Sequence, residues 1–305
     1  MISVVTSLYR SEPTVRPFYD RTLAVLKELE VDYEFIFVDD GSPDNVAGEV
    51  LELRKQDPKV QLLELAKNFG QHEAIMTGLE HVSGDYVFVL DSDLEEPPEQ
   101  LAPFYRELIN HEPELDVIYA YMPKRKGKFV ERLGGAIFFL LINKLASIDV
   151  PPNILVLRLM RLEYVQALVQ HSEHHLFLGG LLARTGFRQK GVPVKKGFKG
   201  YTSYTFSKRL KGAVNAILSF SDRPILVIAL LGFFITGISM VVILGLLVHY
   251  VVFRGSVAGW TSVMVSVWLL SGLILFALGV IGLYVGKIFI QTKQRPRSII
   301  RRHYK

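Results

Sequence analysis

The sequence predicts an α/β domain with a mostly parallel central sheet, followed by two helices long enough to cross a membrane. Three observations carry that expectation. Short apolar runs in the first hundred residues end abruptly in acidic or polar loops, as buried parallel strands do. A helix-like stretch separates the first two of these runs. Two long segments in the last third contain no charged side chain.

The elements follow in order. Ile2 to Thr6 forms a first strand that runs into the polar loop Ser7 to Glu12, before a helix-like stretch from about Thr14 to Leu29. A second strand from Tyr33 runs into Asp39 and Asp40, and the Gly41-Ser42-Pro43 turn follows. Val60 to Leu65 forms another apolar strand, with Lys67 and Asn68 just beyond it. Val87 to Leu90 then carries Asp91 and Asp93 to a strand's carboxyl end, where ligands of open α/β sheets usually sit. Residues two apart in extended chain share a face. Hard cations prefer carboxylate oxygens, and a site that also holds phosphates commonly supplies only one or two carboxylates. The pair therefore points to Mg2+ or Mn2+ bound with a diphosphate. A competing reading has Asp93 capping the segment that begins at Pro97.

No Asp, Glu, Lys or Arg occurs from Pro224 to Phe253 or from Gly255 to Gly286. Each run exceeds the roughly 20 apolar residues that cross a hydrocarbon core. The flanks are basic, with Lys208, Arg209, Lys211 and Arg223 before and Lys287, Lys293, Arg295, Arg297, Arg301, Arg302 and Lys305 after. Arg254 is the one charge in the link, so the positive-inside rule places both termini in the cytoplasm. The N-terminus opens with a strand rather than a cleavable leader, which keeps the large domain cytoplasmic. The expected organisation is a soluble domain over 1–205, a juxtamembrane amphipathic helix over 206–222, two spans over 223–290 and a basic tail over 291–305. Within the first domain, 128–145 has basic ends and an apolar middle too short to span, which fits either an interfacial helix or ordinary packing on the sheet.

The chain has no cysteine, which excludes thiol chemistry, disulfides and thiolate metal sites. The net charge of +5 collects near the membrane-like segments and reads as attraction to anionic lipid. No motif for nucleic-acid binding accompanies it. His171, His174 and His175 fit no metal-site spacing.

Several segments, in order, carry a resemblance: Val38-Asp-Asp-Gly-Ser-Pro-Asp44, Lys67-Asn-Phe-Gly-Gln-His72, Ala74-Ile-Met-Thr-Gly-Leu79, Gly84-Asp85, Asp91-Ser-Asp-Leu-Glu-Glu-Pro-Pro-Glu99 and Ser219-Phe-Ser-Asp-Arg-Pro224. Over nearly its whole length the chain resembles family 2 glycosyltransferases of the polyprenyl-phosphate type, which include dolichol-phosphate mannose synthases and bacterial undecaprenyl-phosphate sugar transferases. The resemblance implies a GT-A-type nucleotide-sugar-binding domain and metal-dependent, inverting transfer from a nucleotide-diphosphate sugar to polyprenyl phosphate. UDP is the expected nucleotide, with GDP next, and the bacterial inner membrane is the expected location. Relatives that associate through their membrane helices imply a homo-oligomer.

Residue by residue, the resemblance makes Asp93 the firmer metal ligand, beside Asp91. Glu95 stands where the family usually has glutamine, and offers a third oxygen. Asp40 resembles the nucleotide contact, and Thr6, Leu8 and Glu12 resemble the loop around the base. Asp39 either touches the ligand or caps the Gly41-Ser42 turn, and Lys67 and Asn68 either touch the base or fix their loop. Lys124, Arg125 and Arg158 are the candidate cations for the lipid phosphate, or contact headgroups only, and Ser203 lies on the same acceptor side.

Four positions depart from the family pattern: Met122 for arginine, Val156 for aspartate, Ser203 for lysine and Leu283 for glutamate. A phosphate acceptor needs no strong base, so the loss at Val156 favours it, and Glu95 and Glu96 are the nearest carboxylates if one is needed. Two other readings stand beside this one: transfer to a hydroxyl of a lipid-linked saccharide or glycolipid, and a catalytically weak scaffold that binds nucleotide sugar or lipid.

Overall fold

The structure, a computed structural model, describes residues 1–111, 113–123, 154–171, 186–195, 197, 223–253 and 259–305. The expected interfacial segment 128–145, the segment 206–222 and the link at Arg254 lie outside the described residues.

The chain divides into two compact units, one of Met1–Phe139, Ile148–Arg209 and Arg295–Lys305, the other of Leu140–Ser147 and Leu210–Gln294. The first unit is built on a mixed sheet of eight strands: β1 (Ile2–Leu8), β2 (Tyr33–Asp39), β3 (Val60–Leu65), β4 (Tyr86–Val89), β5 (Val117–Tyr121), β6 (Ile154–Arg161), β7 (Gln189–Pro193) and β8 (Ile300–Tyr304). Their order across the sheet is β7-β5-β6-β4-β1-β2-β3-β8. The central four, β4, β1, β2 and β3, are parallel, and β6 and β8 join them antiparallel on either side.

Both faces of the sheet are covered, which explains why the central strands are almost wholly apolar. On one face α1 (Glu12–Glu28), α2 (Val46–Gln56) and α4 (Leu101–Asn110) bury Phe18, Val50 and Phe104 against Val4, Phe35 and Phe37. On the other, α3 (Gln71–Leu79) and α5 (Leu162–Val169) bury Ile75, Met76 and Tyr164 against Val5, Ile36 and Val89. Gly78 lets α3 lie close to the sheet, because a Cβ there would stand 2.5 Å from Val5 Cγ1. The first helix starts at Glu12, ahead of the Thr14 expected from periodicity, with proline in its first turn.

The second unit contains α6 (Arg223–Phe253) and α7 (Trp260–Thr292). Among the described residues one stretch, Ser266–Thr292, is long and apolar enough to cross a membrane by length and composition. The sequence leads one to expect two. In α6 the stretch that qualifies as apolar is the shorter Ile225–Ile235.

The end of the chain differs from the expected basic tail. Ile300–Tyr304 pairs antiparallel with β3 and closes that edge of the sheet. Arg297 fixes the approach, donating to Glu80 Oε1 (2.6 Å), the His171 carbonyl (2.9 Å) and the Val169 carbonyl (3.3 Å). Ser298 Oγ meets Thr77 Oγ1 at 2.6 Å, and the Ala66 N–H donates to the Ile299 carbonyl. Ile300 packs on the α3 side of the core, whereas Arg301 and Arg302 are exposed. Charge on an outer strand discourages further pairing, which is why this strand carries so little apolar signal.

Candidate active site

The carboxyl ends of β2, β1 and β4 lie side by side, so the loops after them meet at one edge of the sheet. At the end of β2, Asp39 is 8 % exposed and accepts the Ser42 N–H (2.8 Å). Burial pushes its carboxyl up to about 6; the Ser42 N–H opposes that shift, while Glu64, Asp44 and Asp40 add repulsion. Of its two expected roles, the geometry forms the cap on the turn. Gly41 has φ +62°, and a Cβ there would stand 2.6 Å from the Lys67 carbonyl carbon and 2.7 Å from the Asn68 nitrogen. That turn therefore requires glycine, and it brings the loops after β2 and β3 together.

Asp40 engages the loop after β3. It is 2 % exposed and accepts the N–H groups of Phe69 (2.7 Å) and Gly70 (2.9 Å), where α3 begins. Its carboxyl is raised by burial, against the pull of those two N–H groups. The nucleotide contact expected of Asp40 thus meets a side chain already engaged at the start of α3. Lys67 and Asn68 are exposed, and Lys67 Nζ lies 5.1 Å from the centre of the Phe69 ring.

At the end of β1, Leu8 belongs to the core rather than to the rim. Thr6 is buried, and its Oγ1 has no hydrogen-bond partner among the described residues. Glu12 is exposed and knits two loops: its Oε2 accepts the Asn45 N–H (3.1 Å), and its own N–H donates to Asp44 Oδ2 (3.0 Å). Arg10 holds φ 56°, unusual for a residue with a Cβ, and its N–H donates to Ser42 Oγ (2.7 Å).

The end of β4 holds the Asp-x-Asp pair. Asp91 accepts from Gln71 Nε2, a donor in the first turn of α3 that the sequence did not single out. Asp93 Oδ1 accepts the Glu95 N–H (3.0 Å), a bond that closes the turn around Leu94 at φ 60°. No side-chain cap is made on the helical turn after Pro97, so the capping role weighed for Asp93 is not formed. Ser92 Oγ reaches Ser11 Oγ (3.0 Å), which ties this loop to the one after β1.

Asp91, Asp93 and Glu95 are all half-buried. Among the described residues no three His, Cys, Asp or Glu side chains converge as a metal group. Two carboxylates at a strand end do suit a hard cation whose other ligands come from a diphosphate and water. The Glu95 carbonyl also accepts the Gly197 N–H (2.7 Å), which brings the segment after β7 against this loop.

Arg158 departs furthest from its expected role. It is 4 % exposed, and Nε and Nη2 donate to the carbonyls of Val156 and Leu155, both at 2.8 Å. Burial lowers its pKa, against the opposing influence of Tyr164, Glu96, Asp91 and Tyr119. A guanidinium held this way does not offer its charge to a lipid phosphate at the surface. Glu96 is 1 % exposed and accepts the N–H groups of Val156 (3.3 Å) and Leu157 (2.8 Å), so its carboxylate is engaged with backbone. Lys124, Arg125 and Ser203 lie outside the described residues.

Comparison with known proteins places the chain in a family. The model of glycosyl transferase family 2 matches residues 3–169, which span β1 through α5. A protein of Mycobacterium tuberculosis (strain CDC 1551 / Oshkosh) described as "Putative glycosyltransferases" is 43% identical over 99% of this chain and 88% of its own length. The "Bactoprenol glucosyl transferase" of Shigella phage SfX is 30% identical over 98% of both chains. Among solved structures, S. aureus TarS 1-349 in complex with UDP-GlcNAc overlays with a TM-score of 0.48 at 16% identity, covering 72% of this chain and 67% of that one.

Proposed function

The chain belongs to glycosyl transferase family 2, and from that premise we propose that it moves a sugar from a nucleotide-diphosphate sugar to polyprenyl phosphate. The observation that carries the proposal is the placement of Asp91 and Asp93 at the end of β4, with Asp39 at the end of β2 and β1 between them. The full-length likeness to a bactoprenol glucosyl transferase supports the lipid phosphate as acceptor. UDP is the preferred nucleotide, with GDP as the alternative.

Residues Asp91 and Asp93 would hold Mg2+ or Mn2+, which supplies Lewis-acid charge to the leaving diphosphate when bound. Asp39 and the Ser7–Glu12 loop stand on the nucleotide side, at the ends of β2 and β1. The acceptor's oxygen is already anionic, so attack needs no strong general base. That fits a site in which Val156 replaces an aspartate and Glu96 is committed to backbone N–H groups. Inversion follows from a single displacement.

The apolar stretch Ser266–Thr292 of α7 is the proposed anchor, with the charge-free run of α6 as a proposed second span and both termini on the cytoplasmic side of a bacterial inner membrane. Lys124, Arg125 and Ser203 are proposed to face the lipid phosphate, and association through the membrane helices would give a homo-oligomer. A second reading, transfer to a hydroxyl of a lipid-linked saccharide, is separated by product chemistry. Mild acid should release the sugar from the lipid product of the purified protein. A product that survives mild acid would instead favour the hydroxyl acceptor.

A further inference from the structure

The antiparallel ladder between β4 and β6 stops at the pair Val89 and Arg158. Beyond it β4 ends and its chain leaves for the Asp91–Glu95 loop, while β6 continues in extended form back to Ile154. The backbone of β6 at Leu155–Leu157 then lacks β4 as a neighbour. Two side chains take that place. Glu96 accepts the N–H groups of Val156 and Leu157, and Arg158 donates to the carbonyls of Leu155 and Val156. Both are buried, Glu96 at 1 % and Arg158 at 4 % exposure, so neither is an ordinary surface charge.

Placement on the sheet connects this pair to the Asp-x-Asp loop. Arg158 lies in register with Val89 of β4 and Tyr119 of β5, so the three side chains share the face that carries α3 and α5. Asp91 follows Val89 by two residues and is gripped from α3 by Gln71. Asp91 and Glu96 are both close enough to act electrostatically on the guanidinium. Glu96 itself sits three residues after Asp93, at the far end of the same loop.

We propose that Glu96 and Arg158 form a buried clamp that keeps β4 and β6 apart beyond Val89 and so positions Asp91 and the 91–95 loop to receive the metal–diphosphate. Neither is a catalytic residue, and both act through Asp91. The clamp rests on the functional reading given above, and it assigns Arg158 to the donor side rather than to the acceptor lipid. Groups that orient metal-binding side chains commonly matter by about 10- to 100-fold in metal affinity.

The test measures UDP affinity of the full-length, detergent-solubilised protein by calorimetry, with and without Mn2+, for wild type, Arg158→Lys and Glu96→Gln. Thermal melts accompany each titration. The clamp requires that both variants lose about tenfold or more of the gain in UDP affinity that Mn2+ confers, while affinity for UDP without metal stays within about twofold. Equal weakening with and without Mn2+, or an intact Mn2+ gain in a variant that melts early, overturns the clamp and leaves the functional reading standing. Should Arg158→Lys fail to fold, Glu96→Gln, which keeps the side-chain shape, decides alone. A wild-type protein that binds no UDP in the presence of Mn2+ overturns the functional reading and the clamp together.

Discussion

Asp91 and Asp93 follow β4, and Arg297 precedes β8; both groups are charged, and both lie in the first unit of the chain. Their surroundings differ. The aspartates are half-buried, Asp91 accepting from Gln71 and Asp93 from the Glu95 N–H. Arg297 has three acceptors, Glu80 just past α3, Val169 at the end of α5 and His171 beyond it, and its side chain is 14% exposed. Carboxylates just past the carboxyl end of a parallel strand stand where open α/β sheets bind ligands, whereas a cation surrounded by acceptors fastens one part of a fold to another. Charge alone therefore does not mark function; the place of the charged group in the sheet does.

The comparison breaks first at the aspartates. Asp91→Ala and Asp93→Ala should each lower sugar transfer by at least about 100-fold, because charge stabilisation of a leaving group is commonly of that size. Their thermal melts should stay near wild type, and a collapse of the melt would make these residues structural instead. Arg297→Ala should do the reverse. Loss of its hydrogen bonds should cost about 2 to 3 kcal/mol of stability, seen as a lower melting temperature, with turnover per folded molecule retained.

Asp40 sharpens the contrast, since it belongs to the same acidic pair as Asp39 but serves the start of α3. Asp40→Ala should cost about 1 to 2 kcal/mol, as loss of a helix-start acceptor does, and chemical denaturation reads it directly. Asp39 adds a sign. Its folded pKa is raised from the ordinary 3.8 to about 6, so the folded state holds that proton more tightly than the unfolded chain. Its contribution to stability is full below pH 3.8 and is lost as pH rises through about 6. Asp39→Asn should therefore flatten the decline in stability between about pH 4 and 6, and an unchanged slope would assign that decline elsewhere.

Much of the fold was legible because the central strands announce themselves: Tyr33–Asp39 and Tyr86–Val89 are apolar runs broken by acids. The acidic ends followed from the same breaks. Strand β8 was not legible, since Arg301, Arg302 and His303 read as a basic tail and only pairing with β3 makes them a strand. Asp40 and Leu8 were placed at the ligand by resemblance, yet burial commits them to α3 and to the core. The Glu96–Arg158 clamp joins residues far apart in the chain, and Glu96 was hidden in an acidic run. One signal was present: a lone arginine inside the apolar stretch Ile154–Met160 demands buried partners.

The most direct measurement of the central claim is turnover of purified, detergent-solubilised protein with undecaprenyl phosphate, a panel of UDP- and GDP-sugars, and Mn2+ or Mg2+, with lipid products read by mass spectrometry. The account expects a sugar-phosphate lipid from at least one donor, formed only when metal is present and absent with Asp93→Ala. Product formed equally well in chelator, or by Asp93→Ala, would contradict it.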